Sequence, residues 1–240
     1  MANTYFISDA HLGAGSTELE RQKEEKLLQF FNHVSENGER LFIVGDLFDF
    51  WFEYRSVLPK GYTRILCGLN RLKETGIDLH YVAGNHDFWM RDYLASEFGF
   101  HIYFDEVEWS CGEKHFYIFH GDGLAKDDTG YRLLKRVFRN RVNIFLYSLL
   151  HPDLGIPFAK WMSSLSRRHT TQDAPPPDDD YISRAVQKFD EGFDYAIFGH
   201  LHSPRYQELG KKIYINLGDW IENFSYAKFD GKNLSLLKWK

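Results

Sequence analysis

Cysteine is scarce in this 240-residue sequence, and net positive charge and long apolar runs are lacking. Its two cysteines, Cys67 and Cys111, have no CxxC spacing, which excludes a disulfide framework and a thiolate zinc site. They read as small buried hydrophobes in a reducing compartment. No apolar stretch approaches the ~20 residues that cross a bilayer, and the opening MANTYFISDAHLG lacks the basic start of a signal peptide. A cytoplasmic protein is expected. A net charge of −5 argues against broad electrostatic adhesion to nucleic acid. A glycine-rich nucleotide fingerprint is missing too, since Gly13-Ala14-Gly15 has no third glycine at the required spacing. Hydrophobic residues at 43% and charged residues at 26% exclude disordered and fibrous classes, and the length suits one domain over residues 1–240.

What is present begins with short runs of β-branched and aromatic residues: TYFIS (4–8), RLFIV (40–44), LHYVA (79–83), HFYIF (115–119) and DYAIF (194–198). Each is short and stops at glycine or a polar cluster, which predicts strands. Between the first two, Leu19, Leu27, Phe30, Phe31 and Val34 share one helical face, with Thr17 as the expected cap and Gly38 as the stop. Residues 62–75 repeat the pattern. Alternating strand and helix predicts a sheet that is parallel at least in part. The tail segments KKIYINLGDW, FSYAKFDGKN and LSLLKWK alternate with turn residues and predict an antiparallel meander. The expected class is α/β (α+β mixed), two mixed sheets with helices outside. APPPDDD at 174–180 reads as a stiff acidic linker.

The residues after each strand carry the chemistry. They are Asp9 and His11 in DAH, Asp46 and Asp49 in GDLFD, Asn85, His86 and Asp87 in GNHD, His120 and Asp122 in HGD, and His200 and His202 in GHLH. Strand C-terminal ends lie along one edge of a parallel sheet, so these clusters should converge. A lone Asp or His after a strand is an ordinary turn or cap residue. Several together would crowd like charges into one pocket and shift their pKa values severely, a conflict that divalent cations relieve. Imidazole, carboxylate and amide without thiolate suit Mn, Fe(II), Zn or Mg. Two ions sharing a bridging carboxylate suit displacement at phosphorus.

In order, DAHLG, GDLFDFW, GNHDFWM, HGD and GHLH resemble the D-x-H, G-D-x-x-D, G-N-H-[DE], G-H and G-H-x-H blocks of the calcineurin-like metallophosphoesterases, over residues 9–202. The resemblance implies a four-layer αββα sandwich with two divalent ions. Asp9, His11, Asp46 and His202 would surround one ion, and Asp46, Asn85, His120 and His200 the other, with Asp46 bridging. It makes His86 an acid or oxyanion partner and Asp87 its orienter. A narrower resemblance rests on HGDGLAKDDTGYRLLKRVFR, which is similar to the UDP-2,3-diacylglucosamine pyrophosphatases of lipid A synthesis. That family releases UMP and 2,3-diacylglucosamine 1-phosphate, usually with Mn; Zn, Fe and Mg are the alternatives here. It implies a helical lid inserted at 124–180 and substrate contacts from Asp128, Tyr131 and Ser166. At the third block the chain departs from the best-known members, with His86 in place of arginine.

The lid region has a pattern of its own. One helix is expected from Tyr131 to Leu150, with Arg132, Lys135, Arg136 and Arg139 on a basic stripe and Leu133, Leu134, Val137, Phe138, Val142, Phe145 and Leu149 as apolar surface. Such a helix suits an anionic membrane surface or a phosphorylated amphiphile, and its bland alternative is a core face with a solvated edge. A peripheral position at the inner face of the cytoplasmic membrane is therefore expected. The expected partner is a nucleotide-linked lipid or another phosphoester, and no nucleic acid. Rival readings are a metallophosphodiesterase or phosphatase of a different small substrate, and a non-catalytic metal-binding scaffold.

Overall fold

Alternation within single strands builds the layers of this protein. In β1 (Asn3–Ile7) Tyr5 and Ile7 face one way and Phe6 the other; in β2 (Gly38–Val44) Leu41 and Ile43 oppose Phe42 and Val44; in β3 (Asp78–Val82) Leu79 and Tyr81 oppose Val82. Successive side chains of a strand point to opposite faces, so a strand apolar at every position is covered on both. One face meets α1 (Thr17–Asn37) through Leu27, Phe30, Phe31 and Val34, and α2 (Thr63–Glu74) through Ile65, Leu69 and Leu72. The other face meets a second sheet, through Phe116 and Ile118 of β6 (Lys114–Phe119), Tyr195 and Ile197 of β7 (Tyr195–Phe198) and Ile215 of β9 (Lys212–Asn216). Behind that sheet, Tyr117, Ala196, Phe198 and Tyr214 pack on Tyr181 and Ala185 of α7 (Asp179–Asp190). These are the four αββα layers, a mixed α/β fold as expected. The computed structural model describes residues 3–125, 129–170 and 178–240, without the side chains of Thr129, Tyr131 and residues 162–170.

The first sheet runs β11-β10-β1-β2-β3-β4, where β4 is His101–Tyr103, β10 is Ser225–Phe229 and β11 is Leu234–Lys238. Strands β1 to β4 are parallel, and β10 is antiparallel to both β1 and β11. The second runs β5-β6-β7-β9-β8, with β5 at Val107–Cys111 and β8 at Arg205–Leu209; β6, β7 and β9 are parallel and both edges antiparallel. The C-terminal ends of β1, β2, β3, β6 and β7 carry the polar clusters, as the parallel arrangement requires.

Several expectations are corrected. Helix α1 is capped by Ser16, whose Oγ accepts the Leu19 N–H at 3.4 Å, not by Thr17; Gly38 does end it. The tail is no single meander, because β9 joins the second sheet beside β7 while β10 and β11 form a hairpin in the first. Alternation marks a strand but does not choose its partner. Asp178 to Asp180 are no linker. Asp178 accepts from Arg205 at 2.9 Å and from the Tyr214 hydroxyl, and Asp179 and Asp180 occupy the first turn of α7, where carboxylates favour the helix dipole. Residues 174–177 lie outside the described residues. The helix expected over 131–150 is two, α4 (Thr129–Arg139) and α5 (Arg141–Ser148), because Asn140 Oδ1 accepts the Val142 and Asn143 N–H groups at 2.9 and 3.4 Å and starts a new helix. Helix α6 (Pro152–Thr170) follows. Cys67 is exposed on α2, whose buried stripe is Ile65, Leu69 and Leu72. Among the described residues no helix is long and apolar enough to cross a membrane.

The layer between the sheets is aromatic. Phe42, fully buried, stacks on Phe6 with centroids 5.1 Å apart and on His80 at 4.3 Å. Phe42→Ala is expected to cost about 3–5 kcal/mol of stability, by lost burial and the cavity left behind. Urea unfolding would show it as a lower midpoint at unchanged slope. A loss below about 1 kcal/mol would mean that this layer is not close-packed.

Candidate metal centre

The loops leaving these strand ends hold unusual backbone. Asp9, His11, Asp46, His200 and His202 have φ of 55, 42, 53, 70 and 55°. Left-handed conformations cost a residue with a Cβ roughly 1–2 kcal/mol. Their concentration here means that the surrounding structure holds them for the sake of their side chains. Two contacts show how. Lys23, fully buried in α1, donates to the carbonyls of Ala10 and His11 at 3.0 and 2.8 Å and pairs with Glu20 at 2.7 Å, pinning the first loop. Gly84 lies so close that a Cβ there would sit 2.0 Å from Asp46 Oδ1. Only glycine fits.

Among the described residues the side chains converge into three overlapping groups of possible ligands, each with donor atoms within 4.8 Å of one another, and two of them, Asp9–His11–His202 and Asp46–His120–His200, consist wholly of expected ligands. Asp46 Oδ2 joins them, 3.6 Å from His11 Nε2 and 3.4 Å from His120 Nε2. Asp9 Oδ1 lies 3.6 and 3.4 Å from the Nε2 atoms of His11 and His202, while its Oδ2 accepts the His200 N–H at 2.9 Å. Asn85 Oδ1 is 3.1 Å from His120 Nε2. All seven residues expected as ligands are thus brought together.

Do these atoms fit cations? His120 Nδ1 is 2.9 Å from the Val44 carbonyl, which can only accept, so Nδ1 carries the proton and a neutral ring turns a lone pair toward the Asp46 and Asn85 oxygens. Lone pair facing lone pair is repulsive. A positive charge between them removes the conflict, and a histidine anchored through its other nitrogen by a backbone carbonyl is the usual arrangement of a metal ligand. The Nε2 atoms of His11 and His202 stand 3.2 Å apart, and buried Asp9 Oδ1 has no hydrogen-bond partner. The donor set fits divalent ions.

Titration points the same way. Burial disfavours the charged imidazoles, yet carboxylates prevail: Asp49, Asp9 and Asp46 push His11 up to about 10, and Asp46 does the same to His120. Asp9 and Asp46 stay far below the usual carboxylate range although burial opposes it, held there chiefly by His11 and His202 for Asp9 and by His120 for Asp46. The pocket calls for positive charge.

His86 sits beside the cluster, in a group with His11 and Asp46. Its ring is held by the Asp49 carbonyl, 2.9 Å from Nδ1, which must donate. Nε2 is then a proton acceptor in the neutral ring and a donor only in the imidazolium. Burial lowers its pKa. Asp87 does not orient this ring: the fully buried carboxylate accepts the Tyr81 hydroxyl and the Gly84 N–H, the latter at 2.9 Å. It secures the turn before Asn85, and Asp49 takes the role expected of it. Burial and the Asp46 charge raise Asp87 to about 7.

Three contributors escaped the sequence reading. Lys23 is the first; its only signal was a cation four residues before Leu27 on the apolar face. Asp219 is the second, its Oδ2 4.0 Å from His202 Nδ1 and its Oδ1 capping the N–H groups of Ile221, Glu222 and Asn223. The backbone of Asp49 is the third. Of the residues expected to touch substrate, Asp128 lies outside the described residues; Tyr131 and Ser166 fall on α4 and α6, with side chains likewise outside.

Helices α4, α5 and α6 border a cavity of about 320 Å³ whose lining includes Asn85 and His86 with Phe50, Trp89, Phe138 and Phe158. Trp89 Nε1 donates to the Phe138 carbonyl at 3.1 Å, tying α4 to the third loop. The basic stripe is not all outward, as a membrane-facing helix would have it. Lys135 and Arg139 turn inward to Asp122, and Arg136 is exposed. The apolar residues are not core: Leu133, Leu149, Leu154 and Trp161 are 64, 67, 69 and 56% exposed.

Comparison with known proteins bears on this arrangement. Residues 2–204 match the family model described as calcineurin-like phosphoesterase. The chain is 33% identical to a UDP-2,3-diacylglucosamine hydrolase of Porphyromonas gingivalis, over 97% of this chain and 95% of that one. A protein of the same description from Nitrosococcus oceani is 29% identical over 90% and 87%, and one from Haemophilus influenzae 27% over 96% of each. Among solved structures, a novel archaeal phosphodiesterase matches with a TM-score of 0.51 at 15% identity, over 98% of both chains, a likeness of fold.

Proposed function

Since the chain belongs to the calcineurin-like phosphoesterase family, we propose that it is a dinuclear metal hydrolase that splits the pyrophosphate of UDP-2,3-diacylglucosamine into UMP and 2,3-diacylglucosamine 1-phosphate. The observation that carries this reading is the meeting of two environments at His86, which stands in the ligand cluster and also lines the apolar cavity. Phosphorus chemistry and a lipid chain would then share one site.

Asp9, His11, Asp46 and His202 would hold one divalent ion and Asp46, Asn85, His120 and His200 a second, Mn first, with Zn, Fe and Mg compatible with the donors. Ions held there supply Lewis acidity at phosphorus and acidify water. The chain's own residues do the rest. Asp49 aims His86, whose Nε2 takes up a proton and delivers it to the departing oxygen. Asp87 fixes the loop that presents Asn85. Residues 124–180 act as a lid inserted in a single domain, excluding water and enclosing the acyl chains; Asp128 and Tyr131 would touch the sugar phosphate, and Ser166 would be a further substrate contact. The exposed leucines and Trp161 of the lid face the inner surface of the cytoplasmic membrane, from which the substrate is drawn.

Supplied with Mn, the protein should release UMP from UDP-2,3-diacylglucosamine at least about a hundredfold faster than from UDP-N-acetylglucosamine, because apolar contacts realised in the transition state raise turnover. Equal rates would deny the lid its acyl role. Hydrolysis of small aryl diesters alone would make the chain a phosphodiesterase of another substrate.

A further inference from the structure

We propose that Lys135 and Arg139 form a subsite for the second phosphate of a pyrophosphate substrate, an inference that rests on the reading of the substrate given above. The two lie one helical turn apart on α4 and both line the cavity that contains Asn85 and His86. Lys135 Nζ is 2.6 Å from Asp122 Oδ2 and donates to the Asp122 carbonyl at 3.0 Å. Arg139 Nη2 is 3.6 Å from the same Oδ2. Its Nη1 donates to the Phe104 carbonyl at 3.1 Å and pairs with exposed Asp105 at 3.2 Å, and its guanidinium covers the Phe88 ring at 4.1 Å.

These contacts hold the cations at the ligand cluster. Asp122 follows His120 by two residues, about 7 Å of extended chain at most. Phe88 belongs to the loop that presents Asn85 and His86. Along the cavity wall both cations face one buried carboxylate, Asp122, while the buried carboxylate of Asp49 in the same lining lies 3.7 Å from the Nδ1 atoms of His11 and His86. Arg139 is also flattened against an aromatic ring with its fork fixed by a carbonyl, an arrangement suited to a planar array of phosphate oxygens. The chemical need is specific. A pyrophosphate diester carries charge on two phosphorus groups, and its cleavage leaves two monoesters, each bearing more charge than before. The metal ligands stand around one of them. Lys135 and Arg139 stand where the other falls.

The test compares UDP with UMP as calorimetric probes of the Mn-loaded full chain, in wild type, Lys135→Met and Arg139→Met, with metal content and melting temperature measured on each. Wild type should bind UDP more tightly than UMP. Each substitution should weaken UDP about tenfold or more, the worth of a charged hydrogen bond, with UMP altered less than about twofold. Lys135→Arg should restore most of the UDP affinity. The proposal is overturned if wild type shows no preference for UDP, if UDP binding survives both substitutions, or if UDP and UMP weaken together, which is what a purely structural clasp on Asp122 would give. Turnover of UDP-2,3-diacylglucosamine by the wild type is scored separately, so failure of the substrate reading is not confused with failure of the subsite.

Discussion

Asp46→Ala is expected to lower phosphoester hydrolysis on the order of a thousandfold and to remove both metal ions together. The reason is geometric. Its Oδ2 lies between His11 and His120, so one side chain serves both ligand groups, and its Oδ1 accepts the His86 N–H at 2.9 Å. Loss of any other ligand leaves one group intact; loss of this one opens both. Metal analysis of the purified variant beside kcat on an aryl diester makes the check. Asp46→Asn, which keeps shape and one acceptor oxygen, guards against simple misfolding and should retain the melting behaviour while losing metal. A variant with its full metal complement and only a few-fold loss of rate would remove Asp46 from the bridge.

His86→Ala should behave differently, keeping its metal while kcat falls about 10²- to 10⁴-fold, the range of a lost proton-transfer group. This division is open to a sharp test because His86 stands within reach of His11 and Asp46, where a ligand could also stand. Its Nδ1 is committed to the Asp49 carbonyl, which assigns the proton exchange to Nε2. His86→Gln restores an amide able to hydrogen-bond but not to carry a proton, and it should stay as slow as the alanine variant. Metal loss equal to that of Asp46→Ala would make His86 a ligand instead.

Strands with dense apolar character were readable from their residues, because burial on both faces leaves little room for anything polar: all five runs became strands, and each is followed by its cluster. The short edge strands β4, β5 and β8 were not, since half-exposed residues such as Glu108, Gln207 and His101 carry no such pattern. Side-chain chemistry at the centre was readable as residue type; its orientation was not. Asp87 sits next to His86 in the chain, yet the loop turns its carboxylate to Tyr81 and lets Asp49 hold the imidazole. Likewise the stripe Arg132, Lys135, Arg136 and Arg139 is visible as a charge pattern, but which cations face a buried carboxylate depends on how α4 lies against Asp122. Long-range packing decides such questions, and Lys23 is the clearest instance: a cation buried completely because loop carbonyls from the first block surround its ammonium.

The most direct measurement is a titration of metal-stripped protein with Mn, following UMP release from UDP-2,3-diacylglucosamine at each addition. A two-ion centre around Asp46 predicts activity that saturates at two equivalents per chain, with little at the first. Full activity at one equivalent, or UMP release indifferent to Mn, would contradict it.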